Sequence, residues 1–400
     1  MVAEQARSYS DTPEQLPPQL QSPEDVFKLL QIQYSRYPLF KAGHPGYSAI
    51  FVRDIVKSGR AARNPMMLAG IIALGGDLQA KNKDPIRGAY PGAIFHEYNP
   101  ERGDGIDING RGNTMFNACD TTAEWTIGHE DYTRLTGDYS FVRRYRSELD
   151  AASRYISDHV NSNGLFIEDP EFSGAKHFAL KVTTWRDSVL PGRGTGEATY
   201  PVVYPLAHAQ NIAALRSFSR LTGAEWPRKL AQRMVEALPD LYSPRTRSFF
   251  IAKDADGPIE GVNSDNLHML AYLEPGDLPP DIVESLVSAS EILETDWGYR
   301  PLEPELAKKT NDPYHTDPVW PHEQSATHTG IKAHLDWAIK EKLKGLIGAL
   351  EHAFEVTGRP NNYYDKNPGS YPETILNGMP WGNKIQLWSA AARKEYSLSA

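Results

Sequence analysis

Three short stretches of this chain set tryptophan beside acid: Trp185-Arg186-Asp187-Ser188, Val319-Trp320-Pro321-His322-Glu323, and Pro372-Glu373 with Trp381 and Trp388 downstream. Flat indole rings suit the apolar C–H faces of a sugar, and carboxylates, amides and imidazoles suit its hydroxyl rim. Cleaving a glycosidic bond takes two carboxyls, one protonated to assist the leaving oxygen and one ionised to activate water or attack the sugar. Asp187, Glu323 and Glu373 in these segments are candidates, and spacing along the chain does not say which of them meet in space. Each segment also has a plainer reading. An Arg-Asp neighbour pair is commonly a salt-bridged loop or a helix cap, Trp320-Pro321 could plug a loop, and Glu373 could be an ordinary exposed acid. His96, His208, His268, His315 and His322 invite a metal reading, but no HExxH or comparably tight His/carboxylate spacing occurs, so neither metal nor cofactor is expected.

The elements that must carry these groups read as helices. Segments with helical periodicity lie near 23–36, 64–81, 113–136, 138–160, 203–222, 226–242, 264–273, 279–293, 323–336, 337–357 and 382–396, separated by Gly/Pro-rich loops. Ser22-Pro23-Glu24-Asp25 supplies a cap, a first-turn proline and first-turn acids. Leu135-Thr136-Gly137, Leu221-Thr222-Gly223 and Val356-Thr357-Gly358 each read as a helix end followed by another helix. Only GLFIE at Gly164 to Glu168 and SFFIA at Ser248 to Ala252 alternate as short strands. Helical hairpins joined by long loops (85–112, 169–201, 298–323, 359–381) predict an all-α toroid with the site built from loops at one end. Residues 1–21, rich in Pro, Gln and Ser, read as a loose lead, and 22–400 as one domain.

Bulk composition limits the partners. The 400 residues carry a formal charge of −9 with no long basic run, which argues against nucleic acid and anionic membranes. The one cysteine, Cys119, excludes a disulfide within the chain and reads as a small buried hydrophobe. The N-terminus lacks an apolar signal core and no stretch approaches a membrane span, so the default location is cytoplasmic. The oligomeric state is not legible.

In order along the chain, the segments resemble the glucosidase domain of glycogen-debranching enzymes, the amylo-α-1,6-glucosidase type. They are more distantly similar to processing α-glucosidases and glucosylglycerate hydrolases. The resemblance rests on Arg53-Asp54, Gly92 to Glu97 with His96 and Glu97, Asp120-Thr121-Thr122 with Leu135 to Asp138, and Trp185 to Ser188. It continues through Asn263 to His268, Trp297 to Arg300, Tyr314-His315, Val319 to Glu323, Pro372-Glu373 and Gln386 to Ala390. It implies an (α/α)6 barrel with Asp187 as general acid and Glu373 as general base of an inverting reaction on an α-glucosidic bond. The substrate would be an α-1,6-linked glucan or a small α-glucoside. Arg53, Asp54, His96, Glu97, Asp120, Arg186, His268, His315, His322 and Glu323 would hold the sugar, with Trp185, Trp320 and Trp381 on its ring faces. The sequence departs from the family at His208-Ala209-Gln210, where a Glu is usual, and in the loop 189–197; the extra N-terminal domain usual in debranching proteins has no counterpart. Two rival readings remain open: a toroid lyase or epimerase using Tyr and His, given 20 Tyr and 12 His, and a carbohydrate-binding protein without catalysis.

Overall fold

The computed structural model describes residues 20–34, 36–99 and 115–399; the expected lead at 1–21 lies almost wholly outside them, as does part of the loop 85–112. The helices are α1 (Pro23–Leu30), α2 (Val52–Ala61), α3 (Pro65–Asp77), α4 (Thr121–Thr136), α5 (Ser140–Arg144), α6 (Arg146–Asp158), α7 (Pro205–Thr222) and α8 (Glu225–Glu236). They continue as α9 (Asp265–His268, extended by a 3-10 turn at Met269–Ala271), α10 (Pro280–Ser290), α11 (Pro304–Ala307), α12 (Pro321–Lys340), α13 (Lys344–Gly358), α14 (Pro360–Lys366) and α15 (Leu387–Ser399).

Packing closes these into a ring. α2 packs on α4, α4 on α7, α7 on α9, α9 on α12, α12 on α15, and α15 returns to α2. Outside them, α3 covers α2 and α4, α6 covers α4 and α7, α8 covers α7, α10 covers α9, α13 covers α12, and α1 with α14 covers α15. That alternation of six inner and six outer positions is the expected (α/α)6 toroid. The inner helices run the same way: the first turns of α2, α4, α9, α12 and α15 meet at one end, through Arg53–Asp120, Ser264–Glu323 and His322 stacked on Trp388. Helix dipoles therefore turn their positive ends toward that mouth. The strands are two- to four-residue pieces in antiparallel pairs.

Local signals work where chemistry is local. Ser22 caps α1 in a capping box with Asp25, with Pro23 in the first turn. Gly137 and Gly223 end α4 and α7 in the left-handed conformation, with φ of 71° and 73°. Gly358, in contrast, is the last residue of α13, and Arg359 behind it stays right-handed before α14 begins. Four expectations need correction. The helix expected at 23–36 stops at Leu30, where Gln31–Tyr34 turns into a strand paired with Tyr37–Phe40. The two helices expected at 323–336 and 337–357 divide instead at Glu341 to Leu343, where Lys342 takes φ 60°. The strand expected at 164–168 makes only single bridges, Val160 to Phe166 and Glu168 to Val202. Finally, α2 was not expected at all. It buries an apolar stripe of Val52, Ile55 and Val56, but also Arg53, Asp54, Lys57 and Ser58, so in this ten-residue helix no solvated polar face sets the stripe off.

Candidate active site

Asp187 sits in the loop between α6 and α7, held from both sides by its neighbours. Trp185 Nε1 donates to Asp265 Oδ1 at 2.8 Å, and Arg186 donates to Ser264 Oγ at 2.7 Å. The Asp187 carboxyl is half-buried and makes no hydrogen bond to another side chain among the described residues. Burial pushes its pKa up; His315 and Arg53 partly offset this, and Asp312 adds to it.

Glu373 lies in the opposite loop, just before the hairpin Thr374–Leu376 and Met379–Trp381. It is 1% exposed, yet its two oxygens are both served: the Tyr314 hydroxyl donates to Oε1 and the Asn383 amide donates to Oε2 at 2.7 Å. Burial raises its pKa, while Tyr314, Asn383 and His315 pull it down. His315 thus acts electrostatically on both carboxyls, although 186 residues of sequence separate 187 from 373. The fold brings the two nominated acids to one neighbourhood.

Around them the other expected residues fall into three groups. On α2 and α4, Arg53 donates to Asp120 at 3.2 Å and meets His96 Nε2 at 2.8 Å; Asp54, pushed up to about 7 by burial against the pull of Arg53 and Lys57, has no side-chain partner among the described residues. Glu97 is buried in the short strand paired with Ile50–Phe51. On α9 and α12, Glu323 is fully buried, accepts from the Ser264 hydroxyl, and lies 3.6 Å from Arg186; burial pushes it up to about 7. His268 is also fully buried, 3.9 Å from Glu323. The aromatic group comprises Trp185, Trp320, His315, His322, Tyr314, Trp381 and Trp388. Trp320 stacks on His315 (5.3 Å, 7°) and meets Trp185 edge-on at 5.4 Å; His322 stacks on Trp388 at 4.4 Å.

Burial varies little among most of the expected residues: Trp320 is 2% exposed and Glu323 0%, close to Glu373 and Asp120 at 1%. Trp381 is half-buried beside Tyr314, at 5.6 Å between rings. His208 is structural: it accepts from the Phe166 amide at 3.1 Å and reaches the Met234 carbonyl at 2.9 Å. Residues that sequence reasoning did not single out are Asp312, which accepts from Ser188 and lies 3.1 Å from His315 Nδ1, and Tyr47, whose hydroxyl is 2.9 Å from that of Tyr314. Tyr314, quoted only as motif, is the direct partner of Glu373. Nothing in residue spacing announced them, because the contacts form only when 312–315 folds back on Ser188.

Among the described residues, Asp265, His268 and Glu323 bring three metal-capable atoms within 4.8 Å of one another. Arg186 already stands between the two carboxylates, 3.3 Å from Asp265 and 3.6 Å from Glu323, and supplies the positive charge that a cation would otherwise bring. Two outer hollows of about 730 Å³ and 700 Å³ share no lining residue with the expected set.

No protein-family model and no curated protein sequence matches this chain. Solved structures do. A GH63 mannosylglycerate hydrolase from Thermus thermophilus in complex with Tris and D-glycerate superposes with TM-score 0.66 at 13% identity, over 95% of this chain and 100% of that one. The same hydrolase in complex with glucose gives 0.64 at 12% identity with the same coverage, and an uncharacterized conserved protein from Thermus thermophilus gives 0.67 at 12%, again over 95% and 100%. At that identity the match is one of fold: this chain has the α/α toroid found in GH63 glycosidases. No helix among the described residues is long and apolar enough to cross a membrane.

Proposed function

We propose that this protein is a glycoside hydrolase that cleaves a small α-hexoside by general acid/base catalysis with inversion. The observation that carries the reading is the contrast between its two carboxyls. Burial raises both, so the contrast lies in their donors: Asp187 has no side-chain donor among the described residues, an environment that favours the protonated acid. Glu373 has a hydroxyl and a neighbouring loop's backbone amide donating to its oxygens, which favours the carboxylate. Asp187 gives its proton to the glycosidic oxygen, and Glu373 takes one from the water that attacks the anomeric carbon on the opposite face. An inverting pair leaves roughly 6.5–9.5 Å between carboxyls for that water. Arg53 and Asp54, at the first turn of α2, bind sugar hydroxyls, and Trp381 packs on a ring face.

The toroid neighbours support a small substrate over a branched glucan, since they are named for mannosylglycerate and hold glucose, glycerate or Tris. The α-glucoside expected from the sequence and an α-mannoside are therefore both tested, in a panel of glucosylglycerate, mannosylglycerate, isomaltose, panose and limit dextrin. Asp187→Asn and Glu373→Gln each lower kcat on the accepted substrate by roughly 100-fold or more, with unchanged circular dichroism. Near-wild-type turnover in either variant removes that residue from the mechanism.

A further inference from the structure

Both donors to the Glu373 carboxylate are fastened to one short loop, Gly43 to Tyr47, which runs ahead of α2. On the Oε1 side, the Tyr314 hydroxyl has a single hydrogen and gives it to Glu373. In the pair with Tyr47, 2.9 Å between oxygens, the hydrogen therefore comes from Tyr47. On the Oε2 side, the Asn383 amide donates to the carboxylate, and the Asn383 side chain accepts from the Gly46 amide at 3.2 Å. Nδ2 of the same side chain donates to the Ile385 carbonyl at 2.9 Å and to Gln386 Oε1 at 2.8 Å, so both ends of that amide are used. The loop itself is held: Gly43 and His44 pair with Gln386 and Ile385, and the Gly43 amide donates to the Tyr47 carbonyl at 3.1 Å. The fit is close at Gly43, where a Cβ would overlap Asn383 Nδ2 and Gln386 Oε1.

We propose that Tyr47 and Asn383 are positioning residues for the water-activating carboxylate, through which the loop Gly43 to Tyr47 fixes the plane of the Glu373 carboxyl from both edges. The assignment rests on the acid/base reading given above. The last torsion of a glutamate side chain is broad, so a carboxylate held at one oxygen can still turn. Donors at both oxygens stop that rotation, and a base that takes a proton from a placed water depends on its own orientation. Tyr47 is 42% exposed and takes φ 57°, a region uncommon for an aromatic residue, which fits a position set by the site rather than by loop propensity. The titratable groups facing Glu373 are Tyr314, Tyr47 and His315, whose ring lies 4.6 Å from that of Tyr314.

The test is the pH profile of kcat/KM in Tyr47→Phe and Asn383→Ala, each checked for a native circular dichroism spectrum and a cooperative melt. The acid limb reports Glu373 and the alkaline limb Asp187. Tyr47→Phe keeps the ring and removes the donor to Tyr314, so the ionised carboxylate is held less well and the acid limb moves up, by roughly half a unit. Asn383→Ala frees the peptide that serves Oε2, so its acid limb also moves up, by roughly half a unit or more, and kcat falls roughly tenfold. The alkaline limb stays in both, because both contacts are made at Glu373. A packing role alone would lower stability or kcat without moving one limb against the other. If Asn383→Ala does not fold, Tyr47→Phe carries the test alone, since the exposed ring keeps its shape. A wild-type profile in Tyr47→Phe, or kcat lost in Asn383→Ala with the acid limb unmoved, overturns the proposal. Turnover surviving in Glu373→Gln would instead overturn the catalytic reading beneath it.

Discussion

Replacing Glu323 with glutamine isolates the energetics of one buried carboxyl at the mouth of the toroid. Glu323 is fully buried at the start of α12, and its pKa is pushed by burial from 4.5 up to about 7, against the opposing pull of Arg186 and the Ser264 hydrogen bond. A carboxyl whose folded pKa lies above its unfolded value is most favourable to folding below the unfolded value; the cost appears as pH rises and is complete above the folded one. The difference between 4.5 and about 7 corresponds to roughly 3 kcal/mol, at about 1.4 kcal/mol per unit. Glutamine retains an oxygen for the Ser264 hydroxyl but cannot ionise. The variant is therefore closest to wild type, or less stable, near pH 4.5, and gains on it by roughly 3 kcal/mol toward pH 8. The assay is stability from urea unfolding of both proteins across that range. Asp54, at about 7, and Glu168, at about 8, contribute equally to both curves, so the difference curve reports Glu323. A constant difference at every pH would refute the reasoning.

Other outcomes follow from contacts to Glu373. Tyr314→Phe removes one of its two donors, a loss of roughly 1.5–3 kcal/mol for a bond to a charged group; the acid limb of kcat/KM moves up by about one to two units, and an unmoved limb contradicts the assignment. Gly382→Ala would drive a methyl group into Glu373 Oε2 at a position with φ 79°, so it displaces the carboxylate and abolishes turnover in a folded protein; wild-type kinetics would show that Glu373 need not sit there.

Legibility in the sequence followed the range of the interactions. The cap at Ser22 and the left-handed ends at Gly137 and Gly223 depend on a few neighbouring residues and could be read directly. Of the six inner helices, α4, α7, α9, α12 and α15 overlap stretches expected to be helical, and only α2 was missed. α2 is short and buries Arg53, Asp54, Lys57 and Ser58 alongside Val52, Ile55 and Val56, so its apolar spacing is not set off by a solvated polar face. Residues on the tryptophan-bearing motifs meet in the fold, where Trp185 packs against His315, Trp320 and His322. What spacing could not supply was the partners of these groups: Asp312 beside His315 and Tyr47 beside Tyr314 gain meaning only once distant loops meet.

The acid/base account makes its sharpest commitment in the stereochemistry of the product. Proton NMR of the first-formed sugar, recorded before mutarotation on whichever α-hexoside is hydrolysed, should show the β-anomer. Prompt appearance of the α-anomer would mean net retention and would take the water-activating role away from Glu373.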